Sequence, residues 1–175
     1  MTVKVWADVG GTFTDCIVID ESTRYHTKVL SSGVIRAKVQ AWITSDSFCA
    51  HELAGHDIPG FWKGATVSML DPQGNRQPLG MITKHESGVL RFGEKNPGES
   101  KQRNPSSITA QTLDGQAGSA TNQEIVIELN ANLEAPVLAT RLLLGIPLDT
   151  PLPALDVRLG TTRGTNALLL SLIHI

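Results

Sequence analysis

The chemistry in this chain concentrates between Asp8 and Asp15, in the string DVGGTFTD. Gly10 and Gly11 lack a Cβ, so backbone N–H groups there can crowd around an anion. Thr12 and Thr14 add hydroxyl donors, and a carboxylate such as Asp8 or Asp15 can hold Mg²⁺ through water. Together these residue types make a phosphate grip. The string is not a Walker loop, because no G-K-[ST] follows, and it lacks the G-x-G-x-x-G spacing of a dinucleotide turn. An ordinary hairpin turn accounts for two adjacent glycines; the added carboxylates and threonines make the pattern more specific.

The elements that must position these groups lie on either side. Val3, Val5 and Ala7 alternate as a strand, and Cys16-Ile17-Val18-Ile19 resumes as a second apolar run. Two strands joined at Gly10-Gly11 predict a β-hairpin. His26–Leu30 reads as a third strand, giving one antiparallel sheet that ends at Ser31-Ser32-Gly33.

Further on, Asn132–Gly145 changes to a helical period, with Pro136 in the first turn and Gly145 as the stop. Pro147, Pro151 and Pro153 make a stiff connector, and Asp156–Leu159 reads as a strand running into Gly160-Thr161-Thr162. That strand is expected beside the first strand and parallel to it, with the helix covering one face. Thr161, Thr162, Thr165 and Asn166 then form a second polar group near the glycine turn. Helix capping by Thr162 or Thr165 is the competing explanation.

The two ends of the chain carry a family resemblance. DVGGTFTD with TKVLSS, EAPVLATRLLLGIPLDTPLP and VRLGTTRGTNALL resemble the amino-terminal domain of the hydantoinase A and 5-oxoprolinase family. DVGGTFTD also resembles the first phosphate motif of the wider actin, sugar-kinase and heat-shock ATPase superfamily. The resemblance covers about Val3–Gly33 and Ala131–Leu169. It implies an α/β fold, an incomplete actin-like or sugar-kinase-like domain with a ribonuclease H-like sheet. It also implies an ATP- and Mg²⁺-dependent enzyme that phosphorylates the oxygen of a cyclic amide before ring opening.

By the motif, Gly10, Gly11, Thr12 and Thr14 supply phosphate donors and Asp8 orders the Mg²⁺ hydration shell. Asp15 either does the same or holds the turn. Thr161, Thr162 and Asn166 join the ATP-binding set, while the resemblance fixes no catalytic residue. Arg163 and Gly164 depart from the hydrophobic and small pair more frequent in the family, which leaves the substrate open among 5-oxoproline, hydantoin and a ketone. The alternatives are a ketone-carboxylase subunit, another kinase of the superfamily, or a non-catalytic ATP-binding module. Expected partners are the cyclic amide, a hydantoinase B-type subunit or domain, and a further carboxy-terminal part of the same chain. Without that part, these 175 residues are expected to be inactive.

Residues 1–33 and 131–169 are thus expected to form the ATPase-like part, with residues 34–130 an inserted, mainly β module. Short strands at Val34–Val39, Trp42–Thr44, Ala65–Leu70, Met81–Thr83, Val89–Phe92 and Glu124–Leu129 suggest a small barrel or sandwich. Glu94–Gln123, rich in Gly, Ser, Asn and Gln, is expected to be its least ordered part. His51, Glu52, His56 and Asp57 invite a metal site, but the i, i+5 histidine spacing favours polar loop residues. Leu170–Ile175 matches the translation of a common sequencing adapter and is expected to be an artefact. The formal net charge of −2 argues against nucleic acid as a partner. With no apolar run of membrane-spanning length and no signal segment, a cytoplasmic location is expected.

Overall fold

The computed structural model describes residues 2–50, 52–93 and 124–161. The chain divides into two units: residues up to Ile35 together with those from Asn130 onward, and Arg36–Leu129.

The first unit is built on a four-stranded sheet. Its strands are β1 (Val3–Val9), β2 (Phe13–Asp20), β3 (Thr23–Leu30) and β11 (Leu155–Thr161), in the order β11-β1-β2-β3. β1, β2 and β3 pair antiparallel in sequence, as the alternation and the turn residues predict. β11 pairs parallel with β1, so that Val3 faces Leu155 and Val9 faces Thr161.

One face of this sheet is apolar. Val5, Ala7, Cys16, Val18 and Val29 are buried there against Ala135 and Ala139 of α1 (Ala135–Leu144), with Leu142, Leu143 and Leu144 packed at the margin. The helix lies over β1, β2 and β3. Pro136 occupies its first turn. Gly145 ends it in the left-handed conformation, φ 66°, where a side chain would be strained. The Ile146 N–H then reaches back to the Arg141 carbonyl at 3.0 Å.

The second unit is one seven-stranded sheet rather than a two-sheet sandwich. Its strands are β4 (Val34–Lys38), β5 (Ala41–Thr44), β6 (Ser47–Cys49), β7 (Thr66–Leu70), β8 (Arg76–Glu86), β9 (Val89–Gly93) and β10 (Val126–Asn130), ordered β4-β10-β7-β8-β9-β6-β5. Phe48, Leu53, Phe61, Trp62, Ile82, Leu90, Ile127 and Leu129 are fully buried in it. The Asp71–Asn75 turn joins β7 to β8, with Asn75 donating to Asp71 from both backbone and side chain at 2.8 Å. Glu94–Gln123 and Leu170–Ile175 lie outside the described residues.

The expected fold class is corrected by this architecture. Among the described residues 53% are in strands and 8% in a single helix, arranged as two sheets. An actin-like or sugar-kinase-like α/β domain with a ribonuclease H-like sheet requires several helices. The physical reason is the period of the sequence. Between Val34 and Asn130 every described element is a strand bounded by turns, and among the described residues only Ala135–Leu144 forms a helix. No helix among the described residues is long and apolar enough to cross a membrane.

Candidate functional site: the glycine turn and the outer face of the first sheet

The turn between β1 and β2 is held from one side by Ser31. Its N–H donates to the Thr12 carbonyl at 2.9 Å, and its hydroxyl donates to the Gly10 carbonyl at 2.9 Å. Thr14 Oγ1 lies 2.9 Å from the same hydroxyl. Ser31 has one hydroxyl proton and Gly10 takes it, so Thr14 is the donor in that pair. Thr14 is fully buried. Strand alternation turns it inward with Cys16 and Val18, away from where an external phosphate would approach, unlike its expected role as a donor.

Gly10 and Gly11 differ in kind. A Cβ on Gly10 would stand 2.8 Å from the Phe13 carbonyl oxygen, which also accepts the Gly10 N–H at 3.0 Å. The fold therefore demands glycine at this position. A Cβ on Gly11 would meet nothing within 4 Å, and its φ is not in the left-handed region. Nothing within the described fold asks for glycine at 11. In a planar trans peptide the carbonyl of Gly10 and the N–H of Gly11 point in opposite directions. With that carbonyl held by Ser31, the Gly11 N–H faces away from it. Among the described residues none accepts the N–H of Gly11 or Thr12. Both residues are exposed.

Below the turn, strand register lines up the outer face of the sheet in rows. Gly160, Asp8, Asp15 and Lys28 form the first row; Arg158, Trp6, Ile17 and His26 form the second. Asp8 and Asp15 are directly opposed, where like charges destabilise an antiparallel pair. Their surroundings differ. Asp15 has Lys28 Nζ at 3.2 Å and His26 Nε2 at 3.5 Å. Asp8 has no cationic partner among the described residues and lies against Gly160, its Oδ1 3.6 Å from where a Cβ would sit. Thr161 sits beside Val9 at the edge of the turn, its hydroxyl 3.4 Å from the Val9 carbonyl.

Compared with family models, curated proteins and solved structures, the chain matches none. The assignment of this site therefore rests on its own residues and on the motif they spell.

Asp8, Gly10, Gly11, Thr12, Asp15 and Thr161 thus converge at one end of one sheet, although Thr161 is 152 residues from Val9. Thr162 and Asn166 lie outside the described residues, as do Thr165 and the choice between capping and binding there. The donor set suits a Mg²⁺-bound polyphosphate. Mg²⁺ keeps several waters and takes one or two carboxylates plus phosphate oxygens, rather than a dedicated protein cage. No cluster of three or more metal-ligating side chains occurs among the described residues. His56, Asp57 and Glu52 form no such cluster, and His51 lies outside the description.

Three residues were missed by reading the motif alone. Ser31 directly follows β3 and lies beside the turn, a position that pairing β2 with β3 identifies. Trp6 shares its face with Asp8 by alternation. Arg158 shares that face once β11 lies parallel to β1. Trp6 and Arg158, with Asp8, Asp15, Ile17, Leu159 and Gly160, border an open groove of about 400 Å³.

Proposed function

We propose that the β1–β2 turn binds the terminal phosphates of Mg²⁺-ATP, as the phosphate element of an ATP-dependent hydrolase acting on cyclic amides. The observation that carries the phosphate reading is Gly11, a glycine that the described fold requires neither sterically nor conformationally, with its N–H directed outward. An approaching anion supplies the missing reason for it. The cyclic-amide class, of the 5-oxoprolinase and hydantoinase type, is supported by the strings at the two ends of the chain. It does not depend on an actin-like fold.

In this reading the N–H groups of Gly11 and Thr12 and the Thr12 hydroxyl donate to phosphate oxygens. Asp8, whose charge no described cation offsets, holds the Mg²⁺ hydration shell. Asp15, already paired with Lys28 and His26, keeps the sheet end in register. Bound ATP supplies a phosphoryl group that turns an amide oxygen into a leaving group. The chain's own contribution is to hold the phosphates and offset their charge, where positioning and electrostatics dominate. A B-type partner subunit and a cytoplasmic location, where ATP is plentiful, belong to the same proposal.

Amide NMR of the chain titrated with ATP tests it. Gly11 and Thr12 are expected to shift, the shifts requiring Mg²⁺, and Asp8→Ala is expected to remove the Mg²⁺ requirement together with most of the affinity. Shifts confined to other residues would sink the phosphate assignment. ATP turnover in the presence of a B-type subunit, stimulated by neither 5-oxoproline nor hydantoin, would remove the cyclic-amide assignment.

A further inference from the structure

The second row of the outer face has a chemistry that phosphate binding leaves unused. Trp6 is 41% exposed, although large aromatics are commonly covered. The Arg158 guanidinium lies over its indole, 6.0 Å from the ring centroid. Among the described residues no carboxylate lies within ion-pair distance of Arg158, so its fork of donors remains available. In the lining of the groove Trp6, Ile17 and Arg158 share one row and Asp8, Asp15 and Gly160 the next, with Ala7 and Leu159 between them along the strands. Its volume of about 400 Å³ falls in the range of small-molecule sites, roughly 300–1,000 Å³.

We infer that this groove seats the nucleoside ring of the nucleotide whose phosphates the turn holds. The inference rests on the phosphate reading above and adds to it the place of the base. The order of groups along the strands supports it: outward donors at Gly11 and Thr12, then the carboxylates, then the aromatic platform. At about 3.4 Å per residue, Trp6 lies about 7 Å below Asp8 and Ile17 about 7 Å below Asp15. That spacing matches a sugar between phosphates and base. A planar ring stacks on the indole, and Arg158 covers it or donates to its ring acceptors. A ligand without a flat π-face would leave both residues unused.

Calorimetric titration of the 175-residue chain with Mg²⁺-ATP and with Mg²⁺-tripolyphosphate tests the inference. ATP is expected to bind at least about tenfold more tightly, as stacking of one base implies. Trp6→Ala is expected to abolish that difference while leaving tripolyphosphate affinity unchanged, and Trp6→Phe to restore most of it. Equal binding of both ligands to the parent chain overturns the base site and leaves the phosphate turn standing. Equal loss for both ligands in Trp6→Ala likewise overturns it, because the indole would then act only through the fold. If tripolyphosphate does not bind the parent, the phosphate reading fails. Adenosine alone, followed by the Trp6 indole N–H signal, then decides the groove: a shift supports it and an unmoved signal overturns it. The same signal in the parent serves if Trp6→Ala does not fold.

Discussion

Alanine at Gly10 and alanine at Gly11 should have opposite effects, and the contrast separates what the fold needs from what a ligand needs. At Gly11 the new methyl meets nothing within 4 Å and the backbone is not in the left-handed region. Such a substitution mainly restricts the unfolded chain and stabilises by about 0.4–1 kcal/mol. In a chain of this size the melting temperature should rise by roughly 1–4 °C. At Gly10 the methyl would stand 2.8 Å from the Phe13 carbonyl oxygen, a backbone atom that cannot swing aside. The 3.0 Å hydrogen bond across the turn must then distort. Overpacking of this kind costs about 1–3 kcal/mol. Thermal unfolding followed by circular dichroism measures both. Calorimetry with Mg²⁺-tripolyphosphate measures the other half: Gly11→Ala should weaken binding at least about tenfold, or 1.4 kcal/mol, despite its higher stability. Unchanged binding in Gly11→Ala refutes the argument, because the turn would then not touch the phosphate. A loss of stability at Gly11 would equally show that its glycine serves the fold.

Ser31→Ala should lower stability by about 1–3 kcal/mol in a denaturant titration, since it leaves the Gly10 carbonyl and the buried Thr14 hydroxyl without their partner; an effect within a few tenths would show that the turn does not depend on it. His85 is 2% exposed; its Nε2–H donates to the His56 carbonyl at 3.1 Å and its Nδ1 faces the Trp62 N–H at 3.5 Å. Burial holds its pKa below the ordinary value, against smaller opposing effects from the His56 carbonyl and Asp57. The unfolded chain therefore takes up the proton first as pH falls. This stability is present above about pH 6.5 and is lost as pH drops towards the folded pKa, by at most about 1.4 kcal/mol per pH unit. Urea midpoints from pH 8 to 5 should fall less steeply in His85→Gln, and parallel curves would refute the assignment. Glu128, 4% exposed, is paired with the half-exposed Arg36 and Arg76. Burial pushes its carboxyl pKa up, but the two guanidiniums together outweigh it and hold the pKa below the usual value. Its stabilisation is thus present above the unfolded pKa and lost as pH falls through the folded one. Glu128→Gln should cost about 1–3 kcal/mol at pH 7, and its gap from the parent in urea midpoint should close below pH 4; a constant gap would contradict the charge pairing.

Local pattern carried the first unit well. Alternation and the glycine turn locate β1, β2 and β3, and Pro136 with Gly145 brackets α1. The parallel neighbour expected for β1 is found as well, with Val3 opposite Leu155 and Val9 opposite Thr161. What failed was the fold class, where helices were expected from a resemblance and not from the periodicity of the residues themselves. β8 is longer than the expected Met81–Thr83 and runs through Pro78 and Gly80. Pairing with β7 and β9 overrides them, and at Gly80 a Cβ would meet the Gly93 carbonyl at 2.3 Å, so that glycine marks two strands in close approach. At Thr14 the motif and the strand pull apart: period-two alternation places Thr14 and Asp15 on opposite faces, and Thr14 is on the buried one.

The pairing of β11 with β1 also has a consequence for how the site is assembled. The β1–β2–β3 meander closes through local contacts, whereas β11 must find β1 across 152 residues of chain. Contacts that distant are slow to form, because the intervening loop has to close first. Here the ends of the second unit fasten to each other: Val39 N–H bonds the Ile125 carbonyl at 2.9 Å, Lys38 pairs with Glu124, and Arg36 with Glu128. Once that sheet has formed, the stretch Arg36–Leu129 is bridged at its two ends, and the loop left to close between β1 and β11 is that much shorter. The second unit is then a short-circuit in the loop. Its folding comes before the last strand can dock cheaply, which makes the glycine turn the first part of the site to appear and its Gly160-Thr161 wall the last.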